Sequence, residues 1–363
     1  MSYPNVESTS PSAHFDGPNS TSRCSVPVVF SALPLSIAMP IFTMTLGALS
    51  NIIGLGILVK SHTRFRQRSK AAFLLLASSL LFIDFAGHVI PGAFALRLYT
   101  ANMRWDDIDR SGALCQLFGA CMVFFGLCPL FLSGAMALER CIGVTKPLLH
   151  SREVTSRRAK LAVALMCCTA FLIAILPLLK VGRYTRQFPD TWCFVKIHGQ
   201  LSAVEFGLSI SFSMLGLVSL ALSLLCNSLS GLALLKARLS RHRPASSCQH
   251  NLHSHDIEMI AQLLGIMLVS CVCWSPFLVR PLQPNVISKD SCHYQYLLFL
   301  GVRLASWNQI LDPWVYILLR RAVLKRLYRL CQPQRAFRLT SSQVLSRWSC
   351  SACAANLKQN STP

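Results

Sequence analysis

Seven apolar stretches run through the chain, at approximately 34–60, 71–99, 112–140, 158–180, 203–236, 257–282 and 294–319. A helix needs about twenty apolar residues to cross a bilayer, and each stretch supplies them. Inside a bilayer no water satisfies the backbone, so such segments close their hydrogen bonds within themselves as helices. The pattern predicts an all-α membrane protein: a seven-transmembrane helix bundle over 34–320, after a polar segment over 1–33. Short connections imply that neighbouring helices run antiparallel in one bundle, with no second domain. Composition agrees, with 53% hydrophobic and 13% charged residues, where a soluble domain carries about a quarter charged.

The net charge of +21, from 35 basic and 14 acidic residues, is distributed by topology. Lys60, Arg64, Arg66, Arg68 and Lys70 crowd the first connection without an acid. Lys146, Arg152, Arg157, Arg158 and Lys160 face only Glu153 after the third span. After the second span, Arg97, Arg104 and Arg110 are balanced by Asp106, Asp107 and Asp109. Basic loops stay on the cytoplasmic side, which puts the N-terminus outside and the tail inside. Apolar blocks separate the cations, so no nucleic-acid partner is expected. The polar first thirty residues show no basic start followed by an apolar core, so no cleaved signal peptide is read there. Asn19-Ser20-Thr21 is a glycosylation acceptor on the outer side.

Beyond the seventh span, Arg320, Arg321, Lys325, Arg326 and Arg329 alternate with apolar residues up to Cys331. This suits a short amphipathic helix over 321–331 on anionic membrane lipids, with Cys331 as an acylation site and a cytoplasmic tail over 332–363. A solvated basic tail fits the same residues.

Several spans carry polar residues in their interior. The first has Asn51, the second Asp84 and His88, the third Glu139 and Arg140, and the seventh Arg303, Asn308, Gln309 and Asp312. Asp84 and His88 are four apart and share a helix face, and Pro91 should bend that helix beyond them. Charged groups at such depth are costly and mark functional sites by default. Arg303 would meet a protein acid, a lipid head group or a ligand. Asp312 lies nine residues further on, roughly 13 Å deeper along the helix and out of reach. Asn51, Asp84, Asn308 and Asp312 would gather into one polar cluster, which could equally be glue between helices.

No Gly-x-Ser-x-Gly elbow or His-Glu-x-x-His helix occurs, so no enzyme is read here. His242, His250, His253, His255 and Cys248 are irregularly spaced and read as a solvated loop rather than a zinc site. A transporter would need an inverted repeat with broken helices in matching halves, and none is visible.

These features together resemble rhodopsin-like G-protein-coupled receptors, over roughly Leu33 to Cys331. Glu139-Arg140-Cys141 stands for the motif ending the third helix. Cys273-Trp274-Ser275-Pro276 matches the sixth-helix motif, and Asp312-Pro313-Trp314-Val315-Tyr316 the seventh-helix one. Asn51 and Asp84 match the polar positions of helices one and two. The resemblance implies a Cys115–Cys193 disulfide, a Trp274 and Pro276 hinge, and rearrangement of Arg140 and Tyr316 to admit a heterotrimeric G protein. Cys24 and Cys292 could pair or stay free. Pro129 stands where the family supplies a hydroxyl to a sodium ion, so no metal or other cofactor is expected.

The strings 182–194 and 303–314 are similar to those of the prostanoid receptors. Met122–Pro129 and Gly87–Gly92 resemble the members that respond to prostaglandin E2, with the F2α-responsive members next. The resemblance implies a prostaglandin ligand whose carboxylate meets Arg303, Tyr99 and Thr191. Trp192 and Ser306 are included in that site, and His88 and Met122 face the deeper pocket. It also implies coupling to the Gq class, phospholipase C and calcium. Trp274 is expected one helical turn below the ligand.

Overall fold

The computed structural model describes residues 37–64, 71–101, 105–197, 200–240, 250–282 and 292–315. Asn19, Tyr316, Cys331, the amphipathic segment and the tail lie outside them. Seven long helices form the bundle: α1 (Ala38–Arg64), α2 (Ala71–Thr100), α4 (Ala113–Thr145), α6 (Ser156–Ile175), α7 (Ala203–Ser240), α8 (His250–Val279) and α9 (Cys292–Pro313). Two short helices, α3 (Trp105–Ile108) and α5 (Pro147–Glu153), lie in the connections.

Helix ends follow local chemistry. The Thr155 hydroxyl accepts from the Arg158 N–H and caps α6. Pro147 opens α5, where its missing N–H costs nothing. Both carboxylate oxygens of Asp109 accept from the Leu114 and Cys115 N–H groups, capping the entry to α4. The helix of the third span runs a turn beyond Glu139-Arg140-Cys141, to Thr145.

Six of these helices are long and apolar enough to cross a membrane. In the remaining one, α9, Arg303, Asn308, Gln309 and Asp312 lower the hydropathy. The outward faces suit lipid: Leu161, Leu165, Phe171 and Leu172 of α6 are all exposed. α4 is the central staff, touching α2, α6, α7 and both strands described below. Around it α1 packs on α2 and α9, and α8 packs on α7 and α9, so the ring closes between first and last spans.

The connection from α6 to α7 forms an antiparallel hairpin, β1 (Tyr184–Gln187) with β2 (Trp192–Val195). Its register pairs Tyr184 with Val195 and Gln187 with Trp192. The turn between them places Asp190 at φ 65, a left-handed conformation that Asp tolerates better than most residues. All four β2 residues are buried, unlike a solvated loop.

The hairpin is fastened to the bundle at several points. Cys193 is disulfide-bonded to Cys115 of α4, with Cα atoms 5.5 Å apart. The Gln116 side chain donates to the Tyr184 carbonyl at 3.1 Å. The Tyr184 hydroxyl donates to the Ala174 carbonyl at 2.7 Å, satisfying a group orphaned in the last turn of α6. A side chain at Gly119 would meet the Tyr184 ring 2.4 Å from its Cβ, so glycine there lets the hairpin sit directly on α4. Phe194 then enters an aromatic cluster, with ring centroids 5.0 Å from Phe212 and 5.3 Å from Phe277.

Candidate functional site

Beneath the hairpin lies a cavity of about 200 Å³. α1, α2, α4, α8 and α9 wall it, and Thr191, Trp192 and Phe194 roof it. All seven residues expected around a ligand line this one space: His88, Tyr99, Met122, Thr191, Trp192, Arg303 and Ser306. Residues far apart in the chain meet there because the disulfide draws the hairpin over α4 while α9 closes against α1.

The guanidinium of Arg303 lies over the Phe299 ring, 4.3 Å from its centroid. These residues are four apart on one helix face, and the contact holds the cation while leaving its N–H fork open. Among the described residues no acid lies within ion-pair distance of Arg303. Glu205, an acid at the outer end of α7, went unread in the sequence. Its carboxylate accepts from the Ser202 N–H and stands 3.8 Å from Arg183 and 3.9 Å from Lys196.

Polar groups of roof and wall have different commitments. Trp192 donates its indole N–H to the Phe188 carbonyl at 2.9 Å, so it shapes the roof and presents its ring. Ser306 donates to Val302 of its own helix at 3.3 Å. Deeper down, His88 is buried, and its ring rests against Gly47, where a Cβ would lie 2.3 Å from the imidazole. Trp274 of α8 also lines the cavity. Pro276 lies inside α8, two residues further along.

Several lining residues were not singled out in the sequence. Met39, Thr43 and Met44 of α1, Phe118 of α4 and Phe299 of α9 are uncharged, and their roles depend on which helix faces they share. Gln309 was legible as an interior polar group, without a place in the site.

Below the cavity, Asn51, Asp84, Asn308 and Asp312 are all buried. The Asn51 amide donates to the Gly47 carbonyl at 3.0 Å and across to the Gln309 carbonyl at 3.2 Å. Asn308 donates to Asp312 at 3.2 Å, and Asp312 is near enough to Asp84 to interact electrostatically. A serine stripe on α7 escaped the sequence reading. Ser209, Ser213, Ser219, Ser223 and Ser230 are buried at near-helical spacing, and Ser219 donates to the Leu130 carbonyl at 2.7 Å.

At the inner end Glu139 and Arg140 point to different partners. Glu139 meets His150 of α5 at 2.8 Å, while the Arg140 guanidinium lies 4.9 Å from the Phe73 ring centroid. The Glu139 contact ties the short inner helix to the end of α4.

Residues 55–316 match the model of the 7 transmembrane receptor (rhodopsin family). The chain is similar to the prostaglandin E2 receptor EP1 subtype of Mus musculus, at 47% identity over 339 residues, covering 81% of this chain and 82% of that protein. It is also similar to the prostaglandin F2-alpha receptor of Homo sapiens, at 45% over 326 residues, covering 89% and 88%. Against the prostaglandin E2 receptor EP1 subtype of Homo sapiens the identity is 47% over 361 residues, covering 86% and 88%.

Proposed function

The chain belongs to the rhodopsin family of seven-transmembrane receptors, and within it to the prostanoid receptors, and on that premise we propose that its ligand is prostaglandin E2 and its transducer a Gq-class G protein. As a member it is a multi-pass plasma-membrane protein that answers a prostanoid through a heterotrimeric G protein, and it is not an enzyme. The observation that carries the ligand reading is Arg303: a cation inside the bundle, with no acid among the described residues within ion-pair distance, in a cavity of mainly apolar and aromatic walls.

A prostaglandin is a fatty acid with one carboxylate, two apolar chains and a polar ring. The Arg303 fork donates two parallel charge-assisted hydrogen bonds to that carboxylate. Tyr99 and Thr191 add hydroxyl donors from the wall and the roof, while Trp192 shields the pair from water. The ring and a chain reach down to His88, Met122 and Trp274. An agonist that packs better on Trp274 in one arrangement of α8 shifts the population toward it, with Pro276 as the flexing point. The inner half of α8 then moves relative to Arg140 and Tyr316, opening the face used by the G protein.

An extracellular N-terminus is supported by the basic inner loops and by a disulfide at the opposite end, where an oxidising compartment keeps it. Prostaglandin F2α is the second reading, supported by the similarity to a receptor named for it. Calcium release at matched surface expression, across prostaglandins E2, F2α, D2 and a thromboxane mimic, tests ligand and coupling together. The proposal expects E2 to be most potent and a Gq inhibitor to abolish the response. A larger F2α potency transfers the ligand assignment, and calcium release that survives Gq inhibition overturns the coupling.

A further inference from the structure

Two prolines interrupt hydrogen-bond ladders on either side of one residue. A proline inside a helix deprives the carbonyl four residues earlier of its N–H donor, and a buried carbonyl left bare is costly. Pro313 does this to Gln309 in α9, and Pro129 does it to Phe125 in α4. Both carbonyls find donors from another helix. The Asn51 amide donates to the Gln309 carbonyl at 3.2 Å, and the Gln309 side-chain amide donates to the Phe125 carbonyl at 2.8 Å.

Gln309 thus accepts with its backbone and donates with its side chain, joining α1 to α9 and α9 to α4. It also lines the cavity and is 7% exposed, with Phe125 and Gly126 lining the same floor. The next residue up the chain, Asn308, begins the inner polar cluster. We propose that Gln309 is a positioning residue of the ligand cavity: its amide replaces the helix hydrogen bond that Pro129 removes, and so sets the separation of α9 from α4 at the floor.

The chemistry is specific. An asparagine is one methylene too short, an ionised glutamate cannot donate, and a methionine fills the space without a donor. The requirement is also conditional on Pro129. With alanine at that position its own N–H satisfies the Phe125 carbonyl, and the Gln309 amide becomes dispensable there.

The experiment is a double-mutant cycle of Gln309→Met with Pro129→Ala, with Pro129→Ser as the alternative second substitution if the alanine variant does not accumulate. Two readouts are taken on the full chain: the affinity of radiolabelled prostaglandin E2, and the melting temperature of the ligand-free purified protein followed by tryptophan fluorescence. The affinity arm rests on the prostaglandin reading; the melting arm does not.

Against Pro129, Gln309→Met is expected to weaken binding about tenfold, the loss of one buried hydrogen bond, and to lower the melting temperature. Against Pro129→Ala or Pro129→Ser both losses shrink to about twofold or less in affinity and to near zero in melting. Equal losses in both backgrounds overturn the proposal, because they remove the link to the freed carbonyl. A melting cycle that couples while affinity does not also overturns the positioning role, leaving only a structural bond. If the unmutated chain binds no prostaglandin E2, the ligand reading fails by itself and the melting cycle still decides whether the bond exists.

Discussion

The outer and inner halves of α9 both bring polar groups into an apolar bundle, but they are answered differently. In the inner half, Asn308 meets Asp312, the Gln309 amide meets Phe125, and the Gln309 carbonyl is met by Asn51. In the outer half, Arg303 lies over an aromatic ring and faces a cavity, with hydroxyls rather than carboxylates around it. The inner groups hold the helices in register from within the chain. The outer cation lies over Phe299 and lines the cavity, where the proposed function gives it a ligand's carboxylate as partner. On the proposed reading one helix both receives the ligand and transmits its presence, with depth along it separating the two tasks.

The sharpest way to break this contrast is Arg303→Ala. Removing one partner of a desolvated ion pair costs about 3–5 kcal/mol, so prostaglandin binding should fall at least a hundredfold at unchanged surface expression. Saturation binding of radiolabelled ligand checks this, and retained affinity would end the carboxylate assignment. Arg303→Lys should fall between, since it keeps charge and loses the planar fork.

Cys193→Ser tests whether the roof depends on its covalent anchor. Losing the bridge to Cys115 should destabilise the protein by about 2–4 kcal/mol, seen as a lower melting temperature and weaker ligand binding. If binding is untouched, the contacts of Tyr184 and Phe194 suffice to hold the hairpin.

Asn51→Ala acts on the inner half alone. It strips the donor from the Gln309 carbonyl and should cost about 1–3 kcal/mol of stability, with ligand affinity changed less than by Arg303→Ala. A melting series with parallel binding curves separates the two. An affinity loss as large as that of Arg303→Ala would show that the halves are not distinct.

The smallest effect is expected for Tyr99→Phe, which deletes one hydroxyl donor at the cavity wall. About 1 kcal/mol, or roughly fivefold in affinity, should be lost, and only for ligands with a free carboxylate. A methyl ester that binds the variant and the parent equally would support that role for Tyr99. An equal loss for acid and ester would remove it.

Much of this was legible in the chain itself. Seven apolar blocks dictate spanning helices because a bilayer offers the backbone no other donor or acceptor, and the basic loops support the proposed orientation. Arg303 stood out because a cation within a span is costly and needs a reason. The strings around Thr191 and Arg303 further resembled a known receptor subfamily, and the comparisons with known proteins agree.

Other features depended on contacts that sequence spacing does not encode. The α6–α7 connection became a buried hairpin because Cys115, Gln116 and the space beside Gly119 receive it on α4. Met39, Thr43 and Met44 became cavity walls only when α1 closed on α9, and Trp274 reached the wall through the course of α8. Glu139 turned to His150 because α5 folds back beneath α4. Most clearly, Pro129 and Gln309 are 180 residues apart, and neither one alone shows that a carbonyl freed in one helix is met by an amide from another. Local chemistry determined which groups required partners; only tertiary packing decided which partners they received.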